Sequence, residues 1–149
     1  MNIAFLLTPK SDVSFLYDDN TLRQCIERMK IDPHSAVPVI SREGRYITTI
    51  SEGDVLRWLI RRAEETKEGI SFKDLEEVYV RELRHKDKNP PSLITAEPED
   101  VVFRAMEQNF IPVVDDWGSF IGIVTRRDIL KYLATSQDKL KSLDHWDPF

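Results

Sequence analysis

The chain has 149 residues, of which 41% are hydrophobic and 32% are charged, a balance that is ordinary for one soluble globular unit. Its formal net charge of -5 argues against a general surface for nucleic acids or anionic membranes. No apolar run reaches the roughly 18 residues of a membrane span, the start lacks a basic leader, and the single cysteine excludes an intramolecular disulfide. We therefore expect a cytoplasmic protein without a membrane segment and without a nucleic-acid partner.

The first elements are a short apolar segment, a brief strand and a helix. Residues 2–7 are mostly apolar and predict a short first helix, and residues 14–17 indicate a strand. Thr21 and Gln24 fit a capping box, and apolar residues recur at helical spacing after it. Cys25 lies on this apolar stripe, so we interpret it as a core residue, because buried free thiols behave as small hydrophobes.

A strand–turn–strand–helix unit follows, and it is the first of two copies. From Ala36 the chain is AVPVISREGRYITTISEGDVL, in which two apolar runs are joined by a polar turn that ends in Gly44. This pattern predicts a hairpin with a left-handed residue at the glycine. Ser51 and Asp54 then lie at the corner where the second strand meets a helix that extends to about Ala63.

The segment between the two copies contains a charged linker, a helix and a loop. Residues 64–69 are charged, and Ser71 with Asp74 predicts the cap of a helix that continues to Leu83. The prolines and charges of residues 85–91 predict a loop.

A second strand and helix precede the second hairpin. Residues 93–95 indicate a strand that corresponds to residues 14–17, and Pro98 suits a helix start. This second helix is predicted to be shorter than its counterpart, because fewer residues separate it from the following hairpin. We expect its inner face to be formed by Val101, Val102, Ala105 and Met106.

The second copy is the sequence FIPVVDDWGSFIGIVTRRDIL, which begins at Phe110. A shift of 74 positions places Gly44 on Gly118, Ser51 on Thr125 and Asp54 on Asp128. A repeated unit usually cannot bury its apolar face alone, so two copies predict two half-domains packed about a pseudo-twofold axis.

Catalytic and metal-binding patterns are missing from the sequence. The three histidines, at positions 34, 85 and 145, lie far apart without the spacing of metal ligands. There is no glycine-rich phosphate loop and no Gly-x-Ser-x-Gly motif. We therefore expect a protein that is not an enzyme and holds no metal or catalytic cofactor.

The repeated pattern resembles the CBS domain, here as a tandem pair or Bateman module over roughly residues 3–134. The resemblance rests on the Pro-Val pair of each first strand, the turn glycine and the [Ser/Thr]-x-x-Asp corner. It implies an α/β fold of two βαββα-type repeats. The implied divisions are residues 1–66 for repeat 1, 67–84 for a connector helix, 85–134 for repeat 2 and 135–149 for a polar tail.

The [Ser/Thr]-x-x-Asp corner has two interpretations, and local sequence does not separate them. The first is a capping box, in which the hydroxyl and the carboxylate satisfy free N–H groups at the helix start. In the second, the carboxylate accepts hydrogen bonds from a ribose diol, while the helix start attracts phosphate. The resemblance implies the second role for at least one copy, because the family uses this aspartate to bind ribose.

The two corners differ in charge. Arg126 and Arg127 flank the second corner and suit forked contacts with phosphate, whereas Glu52 at the first corner would repel it. The first copy also has Thr48 where the second has Gly122, a departure from the glycine usual in the family. We therefore expect the ligand site around Asp128.

The resemblance also implies which further residues surround this site. By position they come from the amino-terminal segment, the two stretches that precede the hairpins, and the second corner itself. The expected binding residues are Thr8, Lys10, Ser14, His34, Ser35, Asn109, Phe110, Ile123, Thr125, Arg126, Arg127 and Asp128.

The implied function is that of a small stand-alone regulatory module that binds an adenosine ligand between its repeats. AMP, ADP, ATP, cyclic di-AMP and S-adenosylmethionine are candidates, and the paired arginines favour a phosphorylated ligand over S-adenosylmethionine. We also expect a homodimer through the helices that follow the hairpins, where Trp58 and Tyr132 offer apolar surface, and an unknown protein target. The alternative is a ligand-free module for dimerisation or protein interaction.

Overall fold

The computed structural model of the chain describes residues 2–83 and 89–135. The predicted tail beyond residue 135 and most of the predicted loop at residues 85–91 lie outside these ranges. Short 3-10 helices occupy Ile3–Leu6, Lys10–Asp12 and Val80–Leu83. The strands and α-helices are, in chain order, β1 (Thr8–Pro9), β2 (Leu16–Tyr17), α1 (Leu22–Ile31), β3 (Ala36–Ile40), β4 (Tyr46–Ser51), α2 (Glu52–Glu65), α3 (Phe72–Glu77), β5 (Ser92–Leu93), α4 (Pro98–Arg104), β6 (Phe110–Val114), β7 (Phe120–Thr125) and α5 (Arg126–Ala134).

The strands form two small sheets, one for each repeat. The first has the order β2-β3-β4, and the second has the order β1-β7-β6-β5. In both sheets the hairpin strands pair antiparallel and a short parallel strand lies beside the first of them. The second sheet gains β1 from the amino-terminal segment, with Thr8 opposite Ile123. The α/β fold of two βαββα-type repeats is thereby confirmed.

The two predicted hairpins have matching geometry. Gly44 and Gly118 have φ values of 91° and 80°, so the expected left-handed residue is present in each turn. The tips of the hairpins also pair with each other: the Tyr46 N–H donates to the Gly118 carbonyl at 3.1 Å, and the Phe120 N–H donates to the Gly44 carbonyl at 2.9 Å. This exchange of hydrogen bonds joins the repeats about the predicted pseudo-twofold axis.

Three apolar clusters form the core. One lies within each repeat, and Cys25 is fully buried in the first, as predicted. Burial raises the pKa of the Cys25 thiol to about 12, so this thiol stays protonated at neutral pH. The third cluster joins the repeats and contains Ala36, Ile40, Phe110, Phe120 and Ile123. The two halves are therefore connected by packed side chains as well as by the hairpin tips.

The predicted connector helix ends earlier than expected. α3 stops at Glu77, and Val78 is extended with φ -96° and ψ 130°, so the prediction of one helix to Leu83 is wrong. The Val78 carbonyl instead accepts from the Leu22 N–H, and the Val80 N–H donates to the Asn20 carbonyl, each at 2.8 Å. This pairing with the start of α1 buries both valines in the first core and outweighs the local helical pattern.

Smaller differences occur at the two ends of the repeats. The apolar segment at residues 2–7 forms only a 3-10 helix, and each parallel strand has two residues. α4 has seven residues against ten in α1, so its predicted shortening is confirmed. Met106 follows the end of α4 and is 60% exposed, so its predicted place on the inner face is wrong.

None of the helices in the described ranges has the length and apolar character that a membrane crossing requires.

Candidate functional site

The α2 and α5 helices begin at the two [Ser/Thr]-x-x-Asp corners, and in both the hydroxyl caps the helix. The Ser51 Oγ accepts from the Asp54 N–H at 3.1 Å, and the Thr125 Oγ1 accepts from the Asp128 N–H at 3.2 Å. Ser51 and Thr125 have extended backbone angles, as residues at the N-cap position do. The capping interpretation is thus correct for both hydroxyls.

The two carboxylates differ in how they are satisfied. Asp54 accepts from the Ser51 N–H at 2.9 Å, which completes its capping box, and from the Arg57 guanidinium at 2.5 Å. Burial alone would raise the pKa of Asp54, but these hydrogen bonds outweigh burial and hold the pKa below its usual value. The Asp128 carboxylate accepts from the Thr125 hydroxyl at 2.9 Å and has no further hydrogen bond or ion pair within residues 2–83 and 89–135. Its second oxygen is therefore available to a ligand.

A cavity of about 550 Å³, which we call the Asp128 cavity, lies at the second corner. This volume falls within the roughly 300–1,000 Å³ of small-molecule sites. Residues from β1, from the segments that precede both hairpins, from the end of β7 and from α5 form its wall. They are Thr8, Pro33, His34, Asn109, Thr125, Arg126, Arg127, Asp128 and Lys131.

Among the described residues, three cationic side chains and one carboxylate line the Asp128 cavity. The Arg126 Nε donates to the Ala105 carbonyl at 2.7 Å and so ties the start of α5 to the end of α4. Arg127 and Lys131 have no hydrogen bond or ion pair with any residue that the structure describes, and both are exposed. Their positive charges are therefore available to an anionic group held near Asp128.

Thr8 reaches the cavity because β1 pairs closely with β7. Pro9 lies opposite Gly122, and a Cβ at Gly122 would stand 2.2 Å from the Thr8 carbonyl oxygen. Only glycine permits this approach. The first repeat has Thr48 at the corresponding position, so a strand could not approach β4 in the same way. The difference between Gly122 and Thr48 thus explains why β1 can form part of the wall of the Asp128 cavity.

A side-chain contact connects the repeats at the edge of the Asp128 cavity. The Asn109 side-chain amide donates to the His34 carbonyl at 3.1 Å. The His34 ring packs edge-on against Phe110, with 5.8 Å between the ring centroids. The Asp128 cavity therefore borders the part of the molecule where the repeats meet.

The structure brings seven of the twelve predicted site residues to the Asp128 cavity. These are Thr8, His34, Asn109, Thr125, Arg126, Arg127 and Asp128.

The other five predicted residues do not line the Asp128 cavity. Phe110 and Ile123 are 2% and 1% exposed and belong to the cluster between the repeats. The Lys10 ammonium lies 5.1 Å from the centre of the Phe15 ring. Ser14 is half-buried, and the Ser35 carbonyl accepts from the Glu52 N–H at 3.1 Å.

Sequence reasoning missed Pro33 and Lys131, which also line the cavity. Lys131 follows Asp128 by three positions on α5, and residues at this spacing are neighbours on a helix surface. The helical spacing therefore contained a signal for Lys131. Pro33 carried no such signal, because its place depends on how the first repeat meets the second.

A smaller cavity of about 190 Å³, the Asp54 cavity, lies at the first corner. Among the described residues, Asp54, Arg57 and Glu107 are the charged ones that line it, and together they carry a net negative charge. Asn109 and Phe110 line this cavity from the second repeat. Within the described residues no group of histidine, cysteine, aspartate and glutamate side chains could hold a metal ion.

The family model of the CBS domain matches residues 6–61 and 80–135. This chain belongs to the CBS-domain family. Each matched segment contains one hairpin and its [Ser/Thr]-x-x-Asp corner, so the resemblance based on the repeat is confirmed. The protein is accordingly a CBS pair.

Two curated relatives align with most of this CBS pair. An uncharacterized protein of Methanocaldococcus jannaschii is 28% identical over 141 residues, and the match covers 79% of this chain and 84% of that protein. The magnesium and cobalt efflux protein CorC of Pasteurella multocida is 30% identical over 140 residues, and the match covers 90% of this chain. The chain spans 41% of the length of CorC, so it corresponds to one part of that protein.

Solved structures of small CBS-domain proteins have the same fold. A crystal structure of CbpB in complex with cyclic di-AMP superposes with a TM-score of 0.78 at 23% identity, over 97% of this chain and 89% of that one. CbpB of Listeria monocytogenes in complex with cyclic di-AMP gives a TM-score of 0.70 at 26% identity, over 89% of this chain and 94% of that one.

Proposed function

We propose that this CBS pair is a regulatory module that binds a phosphorylated adenosine ligand, namely AMP, ADP, ATP or cyclic di-AMP, in the Asp128 cavity. One observation carries the proposal: a carboxylate oxygen of Asp128 and the cations of Arg127 and Lys131, all without partners among the described residues, face one cavity of about 550 Å³. The cyclic di-AMP complex of the Listeria monocytogenes relative supports the adenosine class.

The proposed contacts follow from the chemistry of the lining groups. The Asp128 carboxylate accepts hydrogen bonds from the two hydroxyl groups of a ribose. A hydrogen bond to a charged acceptor contributes more than one to a neutral backbone carbonyl. Arg127 and Lys131 neutralise phosphate, and the start of the nine-residue helix α5 adds the positive end of its dipole. S-adenosylmethionine has no phosphate and would leave both cations unpaired. The five predicted residues that do not line the Asp128 cavity would contact the ligand only after a local movement of the chain.

Regulation in this proposal uses the position of the cavity between the repeats. A ligand shifts a conformational equilibrium only by its difference in affinity for the two states. Because His34 and Asn109 come from different repeats, a bound ligand contacts both and favours one arrangement of them. We propose that this arrangement changes affinity for a protein target and that no catalytic step takes place. The cytoplasmic location stays a prediction from the sequence.

We further propose a homodimer that forms through α2 and α5. Trp58 and Tyr132 were expected to offer the apolar surface of the dimer, but both side chains pack partly against the cores of their own repeats. The exposed apolar residues of these helices are instead Leu56, Ile60 and Leu130. Their exposed fractions are 57%, 51% and 66%, so they offer an apolar surface to a second copy.

The function is tested first by a thermal screen of adenosine and guanosine nucleotides. A ligand that binds only the folded state stabilises it by about 2.7 kcal/mol at one hundred times its dissociation constant. For a chain of this size, this corresponds to a rise of several degrees in melting temperature. We expect that rise with at least one phosphorylated adenosine compound and a smaller one with its guanosine analogue.

Titration calorimetry with the selected nucleotide then tests the site. Asp128→Ala should weaken binding at least tenfold, since a hydrogen bond to a charged group contributes about 1.5–3 kcal/mol. Asp54→Ala is the matched control and should bind almost as tightly as the wild type. Equal affinity in Asp128→Ala, or no response to any adenosine compound, would favour the ligand-free interaction module instead.

A further inference from the structure

We propose that Ser35 is a positioning residue that transmits occupancy of the Asp128 cavity to the start of α2. Ser35 does not line that cavity itself; it acts through His34, its neighbour in the chain, which does. The ligand is that of the proposed function, on which this inference rests, and the new element is the route from the cavity to α2.

The backbone of Ser35 is left-handed, with a φ of 58°. Within residues 2–83 and 89–135 it is the one residue other than glycine with positive φ. Residues with a Cβ rarely adopt this conformation, because the Cβ comes too close to the following carbonyl oxygen. Asn109 holds the corresponding position before β6 and does not have positive φ, although asparagine tolerates it better than serine. The strain is therefore not a general feature of the repeat, and contacts around Ser35 must maintain it.

Hydrogen bonds hold the peptide groups on both sides of Ser35. On the amino side, the His34 carbonyl accepts from the Asn109 side-chain amide at 3.1 Å. On the carboxyl side, the Ser35 carbonyl accepts from the N–H of Glu52, the first residue of α2, at 3.1 Å. Rotation about the φ and ψ bonds of Ser35 changes the angle between these two carbonyls. The two bonds together therefore favour the left-handed conformation.

The same two bonds connect the Asp128 cavity to α2. His34 and Asn109 both line the cavity, so a ligand there meets the first bond directly. Glu52 begins α2, and Leu56, which is 57% exposed, lies about one turn further along this helix. A ligand that binds better to this arrangement of the cavity wall also favours the left-handed residue and its bond to α2. The surface of α2 proposed for the dimer thereby depends on the ligand.

The first test measures amide hydrogen exchange of Glu52 by NMR without any ligand. Asn109→Ala removes the bond to His34, so we expect the Glu52 amide to exchange about tenfold faster, through more frequent local opening. Both Asn109 and Ser35 are exposed, so the core should stay intact in these variants. Asn109→Ala/Ser35→Gly should recover most of the wild-type protection, because glycine adopts positive φ without strain.

Ser35→Ala is the matched control for this rescue. Alanine lacks the hydroxyl, as glycine does, but keeps the Cβ that causes the strain. Asn109→Ala/Ser35→Ala should therefore exchange at Glu52 as fast as Asn109→Ala. The Gln24 N–H, which donates to the Thr21 hydroxyl at the start of α1, should keep its exchange rate in every variant.

The second test adds AMP to the wild-type chain. We expect the Glu52 amide to exchange at least threefold more slowly at saturation, since the ligand favours the left-handed Ser35. The inference is wrong if Asn109→Ala leaves the Glu52 rate unchanged, if alanine at position 35 rescues as well as glycine, or if AMP binds without slowing this exchange. A chain that binds no nucleotide overturns the proposed function. The variants compared without ligand would still decide whether Ser35 connects the wall of the cavity to α2.

Discussion

Asp54 and Asp128 occupy the same position in their repeats, but they differ in how much of the carboxylate is already used. A carboxylate that already has hydrogen-bond partners must release them before it binds a ligand, so its net contribution to the binding free energy is small. The carboxylate of Asp54 has both a backbone donor and Arg57, whereas among the described residues that of Asp128 has only the Thr125 hydroxyl. The same residue can therefore serve as a helix cap in one repeat and as a ligand group in the other.

Arg127 provides a test of phosphate binding at the level of one side chain. It lines the Asp128 cavity, is exposed and has no partner among the described residues, so its removal should cost little stability. We expect Arg127→Ala to weaken the binding of AMP at least tenfold and to change the affinity for adenosine less than twofold. Calorimetric titration of the variant with both compounds measures the difference.

Two results would decide the role of Arg127. Arg61→Ala removes an exposed arginine away from the cavity, so it should bind both compounds as the wild type does. If Arg127→Ala lost affinity for AMP and for adenosine to the same extent, the residue would shape the cavity instead of binding phosphate.

The sequence predicted the capping geometry of the second corner, because that geometry is local. A hydroxyl, two arginines and an aspartate within four positions lie together in any helix start. The ion pair between Arg57 and Asp54 was not predicted, since the same spacing leaves Lys131 and Asp128 unpaired among the described residues. The burial of Phe110 and Ile123 also could not be predicted, because it arises where one sheet packs against the other.

At the level of elements, the hairpins were predictable and the connector was not. Each hairpin is specified by residues close in sequence, with a glycine at the turn position that requires positive φ. The end of α3 is instead specified by pairing between residues 78–80 and the start of α1, more than fifty positions away. Local patterns contain no information about such contacts, so the helical signal through Leu83 was misleading.

β1 gives the prediction at this level, because its approach to β7 depends on Gly122. Ala at this position would place a Cβ within 2.2 Å of the Thr8 carbonyl, and the clash should displace β1. We expect Gly122→Ala to lower the free energy of unfolding by about 1–3 kcal/mol more than Gly118→Ala, as overpacking does. Urea unfolding measures the difference. Nucleotide affinity should also fall in Gly122→Ala, because Thr8 lines the Asp128 cavity.

Gly118→Ala is a matched control for this comparison. Gly118 also has positive φ, at 80°, but no atom would lie within 4 Å of its added Cβ. The backbone strain is therefore present in both variants, and the contact with β1 is present in one. Equal stabilities would mean that β1 shifts without cost and that Gly122 is not needed for its pairing.

At the level of the whole molecule, the two repeats form one unit and leave apolar residues uncovered. The cluster of Ala36, Ile40, Phe110, Phe120 and Ile123 and the exchange of hydrogen bonds between hairpin tips join the halves. Outside these contacts, Leu56 on α2 and Leu130 on α5 occupy matched positions of the repeat and are both more than half exposed. The same position is thus apolar and uncovered in both halves, which favours a surface that a second copy covers.

We expect the chain to be a dimer at micromolar concentration and the double variant Leu56→Asp/Leu130→Asp to be a monomer. Burial of two leucines in each chain would contribute several kcal/mol, at about 1.5–3 kcal/mol for each side chain, and two aspartates would remove it and add like charges. Static light scattering measures the mass of each form. Phe72→Asp is the matched control, because Phe72 is 81% exposed but lies on α3, so this variant should remain a dimer. A wild-type monomer, or a Leu56→Asp/Leu130→Asp variant that is still dimeric, would exclude an interface at these helices.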